Sequence, residues 1–175
     1  KTVERDMPYY LQSGGGITLS GGECTLQPEF SLGLLRAAKD LGISTAIESM
    51  AYAKYEVIET LLPYLDTYLM DIKHMNPEKH KEYTGHDNLR MLENALRVAH
   101  SGQTELIIRV PVIPGFNATE QELLDIAKFA DTLPGVRQIH ILPYHNFGQG
   151  KYEGLNRDYP MGDTGKPSNE QMKAF

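Results

Sequence analysis

Short runs of β-branched and apolar residues alternate with segments of helical periodicity along this 175-residue chain. Five runs have the length and composition of strands: 17–19, 43–47, 67–72, 106–110 and 139–142. Because the runs are almost continuously apolar, we expect both faces of each strand to be covered, as in a parallel sheet with right-handed crossovers. The pattern therefore predicts an α/β fold, and an open doubly wound sheet and a (β/α) barrel both satisfy it.

Signals for helices lie between these runs. Apolar residues recur at helical spacing in three places: Phe30, Leu34, Ala38 and Leu41; Leu89, Leu92, Leu96 and Ala99; and Leu123, Ala127 and Ala130. Pro28, Asn76 with Pro77, and Thr119 with Glu122 are typical of helix starts, and Gly42 and Gly102 are typical of helix ends. The order of elements is therefore β, α, β, α, repeated.

Charge and cysteine content narrow the class of protein. The formal net charge is −6 and no run of five basic residues occurs, which argues against a nucleic-acid partner. No apolar run reaches the roughly 18 to 20 residues that a membrane span requires, and a single cysteine excludes an internal disulfide. With no secretory signal at the start, we expect one cytoplasmic domain, residues 1–175, that is monomeric and has no membrane partner.

Both ends suggest a shortened protein. Lys1 is not an initiator methionine, and Ser168 with Gln171 forms a predicted capping box only about a turn before Phe175. We therefore expect a domain truncated at both ends. The stretch "PYHNFGQGKYEGLNRDYPMGDTGKPS" is rich in glycine, proline and tyrosine without periodicity, and it predicts an ordered tail or surface loop.

Polar or ionisable residues stand at the end of every predicted strand. In chain order they are Ser20, Gly21, Gly22 and Glu23; Glu48 and Ser49; Asp71 and Lys73; Arg109; and Tyr144 and His145. In parallel α/β folds, ligands bind at the carboxyl ends of the strands, because the loops there are free of structural duty. For any one of these residues alone, a solvated loop residue or a helix cap is the better explanation, since charged residues are mostly exposed. Five such ends in register favour a site.

Three of these charges adjoin apolar strands, where an unpaired charge is costly, so Asp71, Lys73 and Arg109 are expected to pair with one another or with a ligand. A purely structural ion-pair network is the alternative. The pair Gly21 and Gly22 lets a ligand approach the backbone, although a tight turn explains it too. Elsewhere, surface or capping roles are predicted for His74, His80, His86, Asn88 and His100, because they lack metal-ligand spacing.

The motif "LSGGE" at residues 19–23 is similar to the signature sequence of ABC transporter ATPases. That interpretation fails on two counts. The chain has no Gly-x4-Gly-Lys-Ser/Thr phosphate loop, and "CTLQPEF" replaces the basic helix expected after the signature.

A set of ordered motifs carries a more extensive resemblance. They are "YYLQSGGGITLSGGECTLQPEF", "ISTAIES", "YLMDIKHM", "EYTGHDN", "IIRVPVIPGFNAT" and "ILPYHNFGQGKYEGL". Together they resemble the radical S-adenosylmethionine activating enzymes of glycyl radical enzymes, of which the pyruvate formate-lyase activating enzyme is the familiar member. The match runs from about Tyr9 to beyond Tyr159. The resemblance implies a radical S-adenosylmethionine core domain, built as a partial (β/α)6 barrel whose first βα unit is missing from this chain.

The resemblance also implies a chemistry. Members of the family reductively cleave S-adenosylmethionine at a [4Fe-4S] cluster, and the 5′-deoxyadenosyl radical that results takes hydrogen from a backbone glycine of a partner enzyme. The implied partners are a glycyl radical enzyme and a flavodoxin or ferredoxin as electron donor. Substrate choice belongs to surfaces that recognise the glycine loop, and the tail from Phe147 onward is our candidate for part of that surface.

Site residues follow from the same resemblance, position by position. Gly21, Gly22 and Glu23 match the stretch that meets the methionyl amino group. Asp71, Ile72 and Lys73 form the Asp-x-Lys motif near the methionyl carboxylate, and Arg109 matches the same polar wall. His145 matches the residue beside the ribose and adenine, and Glu48, Asp71 and the Leu69 carbonyl match a site for a monovalent cation.

One departure from the family is large. The cluster ligands of the family are three cysteines in a Cys-x3-Cys-x2-Cys loop, which this chain does not contain, and Cys24 alone cannot hold the cluster. We expect truncation to be the reason, because a fold without its first βα unit exposes a sheet edge. For Cys24 itself, a small buried thiol is expected, and a redox role beside the cofactor is the alternative.

Two further functions stay open at this point. A divalent-metal barrel isomerase or aldolase would use Glu23, Glu48, Asp71 and His145 as ligands of Mn or Mg. A catalytically silent module that docks a glycyl radical protein would need no cluster at all.

Overall fold

The computed structural model describes residues 2–162 and 164–175, so Lys1 and Asp163 lie outside the described residues. Five parallel strands form one sheet: β1 (Gly16–Leu19), β2 (Ser44–Ser49), β3 (Thr67–Asp71), β4 (Glu105–Val112) and β5 (Ile139–Pro143). All five predicted strands are confirmed. Their order in the sheet is their order in the chain, without the reversal that defines a doubly wound sheet, so the α/β fold is of the partial barrel type.

The helices occupy the predicted connections and several others. They are α1 (Met7–Ser13), α2 (Pro28–Asp40), α3 (Tyr55–Leu61), α4 (Pro77–Thr84), α5 (Leu89–Ser101), α6 (Glu120–Asp131), α7 (Gln149–Gly154) and α8 (Asn169–Ala174), with short 3-10 turns at Val3–Asp6, Cys24–Leu26 and Leu62–Tyr64. Three predicted N-caps are confirmed, because the side chains of Asn76, Thr119 and Ser168 accept backbone N–H groups. In the predicted tail, the described residues after β5 are irregular except for α7.

The sheet is buried on one face and partly open on the other. In β3, Tyr68 and Met70 are fully buried in the apolar core, whereas the alternate residues Leu69 and Asp71 are only half-buried. The expectation that both faces are covered was therefore wrong for the second face. This open face carries the ionisable residues that follow, because strand side chains alternate between the two faces.

The buried face of α5 differs from the predicted one. Met91, Asn94, Ala95, Val98 and Ala99 are buried, whereas the predicted Leu89 is 63% exposed. The amide of Asn94 donates to the carbonyl oxygens of Ala51 and Ala53, at 2.7 and 2.9 Å. With Asn94 held in this way, the buried positions Met91, Ala95 and Val98 each come one residue before the predicted Leu92, Leu96 and Ala99.

The apolar face predicted for α2 is likewise displaced. Ser31, Leu35 and Ala38 are buried, whereas Phe30 is 64% exposed and Leu34 is also exposed. Phe30 and Leu34 line a pocket of about 370 Å³ that runs beside β1. Within the described sheet, β1 pairs with β2 alone, so its second edge is free.

Gly16 is the glycine that allows β1 to pack closely against β2. It opens β1 opposite Ser44, and a Cβ added at Gly16 would lie 1.9 Å from the Ser44 carbonyl oxygen. The backbone cannot accommodate that atom without separating the two strands. Gly16 is therefore needed for the close packing of β1 against β2.

No helix within the described residues has the length and apolar character needed to cross a membrane.

Candidate functional site

A chain of charged groups joins the carboxyl ends of β1, β2, β3 and β4. Ser20 Oγ donates to Glu48 Oε2 at 2.5 Å, and Arg109 Nη1 donates to Glu48 Oε1 at 2.5 Å. Arg109 Nε lies 3.7 Å from Asp71 Oδ1, and Lys73 Nζ lies 3.8 Å from Asp71 Oδ2. Asp71 and Arg109 are register partners, so the sheet itself places the two side chains together.

The two carboxylates of this chain are in different electrostatic environments. The hydrogen bond from Ser20 and the bonds from Arg109 lower the pKa of Glu48, against the opposing effect of burial. Burial raises the pKa of Asp71, and the attraction of Lys73 and Arg109 offsets that only in part. Asp71 is therefore the carboxylate that gains more from a further positive charge.

Glu23 fixes the loop after β1 to the end of β2. Its Oε1 accepts hydrogen bonds from Thr25 N at 3.2 Å, Thr25 Oγ1 at 2.7 Å and Ser49 Oγ at 2.7 Å, and its Oε2 accepts one from Met50 N at 3.1 Å. Oε1 is saturated by these donors, whereas Oε2 has room for another. The carboxylate thus holds the loop in place and still presents one oxygen to a donor.

A pocket of about 220 Å³ gathers most of these groups. Its lining consists of Ser20, Gly21, Gly22, Glu23, Glu48, Ser49, Met50, Asp71 and Lys73. Gly21 has φ +117°, which favours glycine, and no atom lies within 4 Å of a Cβ built on Gly21 or Gly22. An open backbone, carboxylates and an ammonium in one pocket suit a ligand that carries both a positive and a negative charge.

The other predicted residues lie differently. The Ile72 side chain is buried in the core, so only its backbone can face a ligand. The predicted cation ligands lie on neighbouring strands. Glu48 of β2 is the register partner of Leu69 in β3, and Asp71 is two positions after Leu69 in β3. His145 is exposed on the loop after β5, where its ring contacts Phe147 at a centroid distance of 4.4 Å. Among the described residues, no hydrogen bond or ion pair connects His145 with the charged chain.

Ser20 is the residue that the sequence-based site omitted. It was recognised as a polar residue past a strand, but its partner Glu48 is 28 positions away, and that pairing follows only from the register of β1 and β2. Thr25 and Ser49 were missed as partners of Glu23 for the same reason. The one available signal was their small hydroxyl side chains beside a carboxylate.

Cys24 is a half-buried thiol. Burial first, and then the neighbouring Glu23 carboxylate, raise its pKa to about 11. Its Sγ lies 3.7 Å from the Glu48 carbonyl oxygen. Because the sequence contains no other cysteine and a cluster needs several thiolates, the residues of this chain do not fit an iron–sulfur cluster.

A divalent-metal site has no support in the described part of the chain. No group of three or more His, Cys, Asp or Glu side chains there is placed to hold a metal ion. Glu48 and Asp71 are instead bonded to Arg109, and Glu23 to hydroxyl and amide donors.

Comparison with known proteins agrees with this fold. The model of the radical SAM superfamily matches residues 4–130. The isethionate sulfite-lyase activating enzyme of Nitratidesulfovibrio vulgaris (strain Hildenborough) is 44% identical over 166 residues, which cover 94% of this chain and 53% of that protein. The pyruvate formate-lyase-activating enzyme of Clostridium pasteurianum is 35% identical over 173 residues, which cover 99% of this chain and 72% of that protein.

A solved structure gives the same result. The crystal structure of a domain of pyruvate-formate lyase-activating enzyme from Bacteroides vulgatus ATCC 8482 superposes with a TM-score of 0.74 at 29% identity, covering 91% of this chain and 89% of that one. The chain spans about half the length of several curated relatives that it matches. These findings place it plainly: the chain belongs to the radical SAM superfamily and, within it, to the activating enzymes of glycyl radical enzymes.

Proposed function

We propose that the protein containing this chain activates a glycyl radical enzyme by reductive cleavage of S-adenosylmethionine. The observation that carries the proposal is the 220 Å³ pocket, where an open glycine backbone, Glu23, Asp71 and Lys73 converge at the strand ends. The family uses S-adenosylmethionine with a [4Fe-4S] cluster, and together these groups supply the radical chemistry when bound.

The residues of this chain would bind and orient the cofactor. Gly21, Gly22 and Glu23 would meet the methionyl amino group, for which Glu23 Oε2 keeps room for a donor. Lys73 and Arg109 would compensate the methionyl carboxylate, and Asp71, with the backbone of Ile72, would complete that wall. His145 would lie beside the ribose and adenine, on the loop that follows β5.

The cluster ligands would have to come from a part of the protein outside residues 1–175. The free edge of β1 and the pocket beside it, lined by Phe30 and Leu34, offer a place for a further βα unit of the same protein. Such a unit would cover the edge and could carry the three cysteines close to Glu23. A sequence upstream of this region without those cysteines would contradict the proposal.

The partners and surroundings are proposed on the same basis. A glycyl radical enzyme would dock through its glycine loop, in part on the tail from Phe147, with a flavodoxin or ferredoxin as electron donor. We propose a cytoplasmic monomer. A monovalent cation at Glu48, Asp71 and the Leu69 carbonyl stays a prediction, and Arg109 is already bonded to both of those carboxylates.

The test uses the full-length protein, purified without oxygen and reconstituted with iron and sulfide. It should become brown and, once reduced, convert S-adenosylmethionine to 5′-deoxyadenosine and methionine. The variant Asp71→Ala should bind the cofactor more weakly, whereas Asp125→Ala, on the exposed surface of α6, should bind it as the wild type does. A colourless protein that leaves the cofactor intact would overturn the proposal, and partner binding without cleavage would support a silent docking module instead.

A further inference from the structure

The segment 73–75, directly after β3, has no regular structure of its own, yet buried side chains hold each of its carbonyl groups. The Lys73 carbonyl accepts from Asn117 Nδ2 at 2.7 Å. The carbonyls of His74 and Met75 accept from Asn88 Nδ2 at 2.7 and 2.8 Å. Lys73 lines the pocket, and the bond from Asn117 fixes the backbone that carries its ammonium group.

Asn117 forms the connection that reaches Lys73. It is fully buried and uses its whole amide: Nδ2 donates to Lys73 O at 2.7 Å and to Pro111 O at 2.8 Å, and Oδ1 accepts from Ile113 N at 2.6 Å. Pro111 and Ile113 lie at the end of β4, two and four positions beyond Arg109. One side chain therefore ties the ends of the two strands that carry the cations of the site.

The length of the lysine side chain gives this connection its importance. Lysine has a flexible stem, so its ammonium group samples a large volume unless its backbone is anchored. In the structure, that group lies 3.8 Å from Asp71 Oδ2. The bond from Asn117 to the Lys73 carbonyl, together with the bond from Ile72 N to Arg109 O at 2.9 Å, fixes the backbone from which the side chain reaches Asp71.

We propose that Asn117 is a positioning residue for S-adenosylmethionine binding, acting through the Lys73 backbone to hold the ammonium group beside Asp71. The inference rests on the proposed function in one respect, namely that the pocket binds this cofactor. Asn117 itself lines no part of the pocket. It acts by restricting where Lys73 can reach.

Asn94 provides a matched control. It is buried like Asn117, and its Nδ2 likewise donates to two carbonyl oxygens, those of Ala51 and Ala53, at 2.7 and 2.9 Å. It holds the loop after β2, which contributes no cation to the pocket. That loop does place Met50, whose N–H donates to Glu23, in the pocket. Substituting Asn94 therefore removes a comparable set of buried hydrogen bonds next to the pocket, and any effect on binding does not depend on Lys73.

The test is a double-mutant cycle on full-length, anaerobically reconstituted protein. S-Adenosylmethionine binding is measured by equilibrium dialysis without reductant, so that no cleavage occurs. Asn117→Asp turns carboxylate oxygens toward two carbonyls, and it should weaken binding about tenfold. In the Lys73→Met background the same substitution should change binding less than twofold, since the group it positions is gone. Asn94→Asp should have the same effect in both backgrounds.

The pH dependence distinguishes positioning from damage. In Asn117→Asp, protonation gives the introduced carboxyl group one O–H donor, and burial against carbonyls raises the pKa of such a group. The affinity of this variant relative to the wild type should therefore recover as the pH falls from 8 to 6. A milder variant, Asn117→Ser, keeps one donor and serves if the aspartate variant does not fold.

A second measurement does not involve the cofactor. The attraction of Lys73 lowers the pKa of Asp71, so displacing Lys73 by Asn117→Ser should raise that pKa further, as followed by carboxyl carbon NMR in the full-length protein without cluster. Asn94→Ser should leave it unchanged. Equal weakening in both lysine backgrounds, or an unchanged Asp71 pKa, overturns the inference. If the wild type binds no cofactor but Asn117→Ser still raises the pKa of Asp71, the proposed function is overturned and the positioning of Lys73 by Asn117 stands.

Discussion

Two regions at the same end of the sheet are built in opposite ways. The charged rim, which we define as Ser20, Glu23, Glu48, Asp71, Lys73 and Arg109, is held by hydrogen bonds and ion pairs: five of its members bond to one another, and Glu23 bonds to Ser49 and Met50 at the end of β2. The stretch that follows β5, residues 144–159, is here named the β5 segment. Most of its described side chains are exposed, and the exposed fractions of Phe147 and Leu155 are 77% and 67%. The hydrogen bond between Tyr144 OH and Tyr159 OH, at 2.5 Å, joins the two ends of this segment to each other, and Tyr144 N donates to Val112 O of β4 at 3.1 Å.

The difference separates two kinds of binding surface. Groups held by one another in advance lose little freedom when a ligand arrives, so the charged rim suits a small polar ligand of fixed shape. When a second surface covers exposed apolar side chains, the free energy falls by roughly 25 cal/mol per Å² of apolar surface buried. The β5 segment therefore suits a larger occupant, in agreement with the proposal that a partner enzyme docks there.

Removal of the central cation should break the charged rim. Arg109→Met leaves Glu48 and Asp71 facing each other without compensation, and we expect a loss of about 2 to 4 kcal/mol in the free energy of unfolding. Urea denaturation of the folded protein measures it. Lys128→Met removes an exposed i,i+3 pair to Asp125 and should leave the midpoint unchanged. Equal effects of both substitutions would show that the rim is no more than a set of surface pairs.

Glu23 and His145 sharpen the comparison, since each is a predicted cofactor contact in a different region. Glu23→Ala leaves Met50 N and Thr25 N without their acceptor, and we expect it to cost about 2 kcal/mol of stability as well as cofactor affinity. His145→Ala should change stability by less than about 0.5 kcal/mol and lower affinity alone. Thermal melts and equilibrium dialysis of both variants test this. A strongly destabilised His145→Ala would remove the distinction between the two regions.

The thiol of Cys24 reports the electrostatic character of the rim. With a pKa of about 11 instead of 9.0, about a hundredfold less thiolate is present near pH 8. The more basic thiolate is about tenfold more nucleophilic, so alkylation by iodoacetamide should be about tenfold slower than for a free cysteine. The rate should rise as the pH approaches 11. Glu23→Gln removes a negative neighbour and should lower the pKa and speed the reaction. If the alkylation rate instead has its inflection at the ordinary pKa of 9.0, the thiol is neither buried nor next to the Glu23 carboxylate in solution.

The smallest effect is expected in the β5 segment. The hydrogen bond from Tyr144 raises the pKa of Tyr159 to about 12, so Tyr144→Phe should lower that pKa toward its ordinary value of 10.0. In the wild type, the stabilisation from this bond is complete below pH 10 and is lost as the pH rises through 12. Carbon NMR of labelled tyrosine rings measures both. Without a change in the pKa of Tyr159, the two hydroxyl groups are not bonded in solution.

Some of the fold follows directly from local sequence. All five strands were predicted, because apolar runs bounded by turn residues leave few other conformations. Helix α3 was not predicted, since its β-branched residues Val57, Ile58 and Thr60 have low helix propensity and no side chain caps it. Ile58 and Leu61 are fully buried, so packing against the sheet stabilises a helix that its own residues do not.

The site divides in the same way. The sequence predicts which ionisable residues lie near the carboxyl ends of the strands, because position along an apolar run is a local property. It does not predict how they pair, because the partners are far apart in the chain. His74, His80 and Asn88 were expected at the surface or in caps. A surface position was wrong for all three, because they are buried, but Asn88 does occupy the N-cap position of α5, without a side-chain cap bond. Asn88 is held by carbonyls 13 and 14 positions away, and such bonds leave no pattern in a single sequence. His86 and His100 are exposed, as predicted.

The strand order of the sheet has a consequence for synthesis on the ribosome. Since each strand pairs with the strand made just before it, the sheet can grow one βα unit at a time as the chain emerges, and no strand waits for a distant partner. Every pairing joins strands that are neighbours in the chain, so the segments to be closed are shorter than in a sheet whose neighbouring strands are distant in sequence. At each stage the newest strand forms the free edge of the sheet, and the next unit covers it.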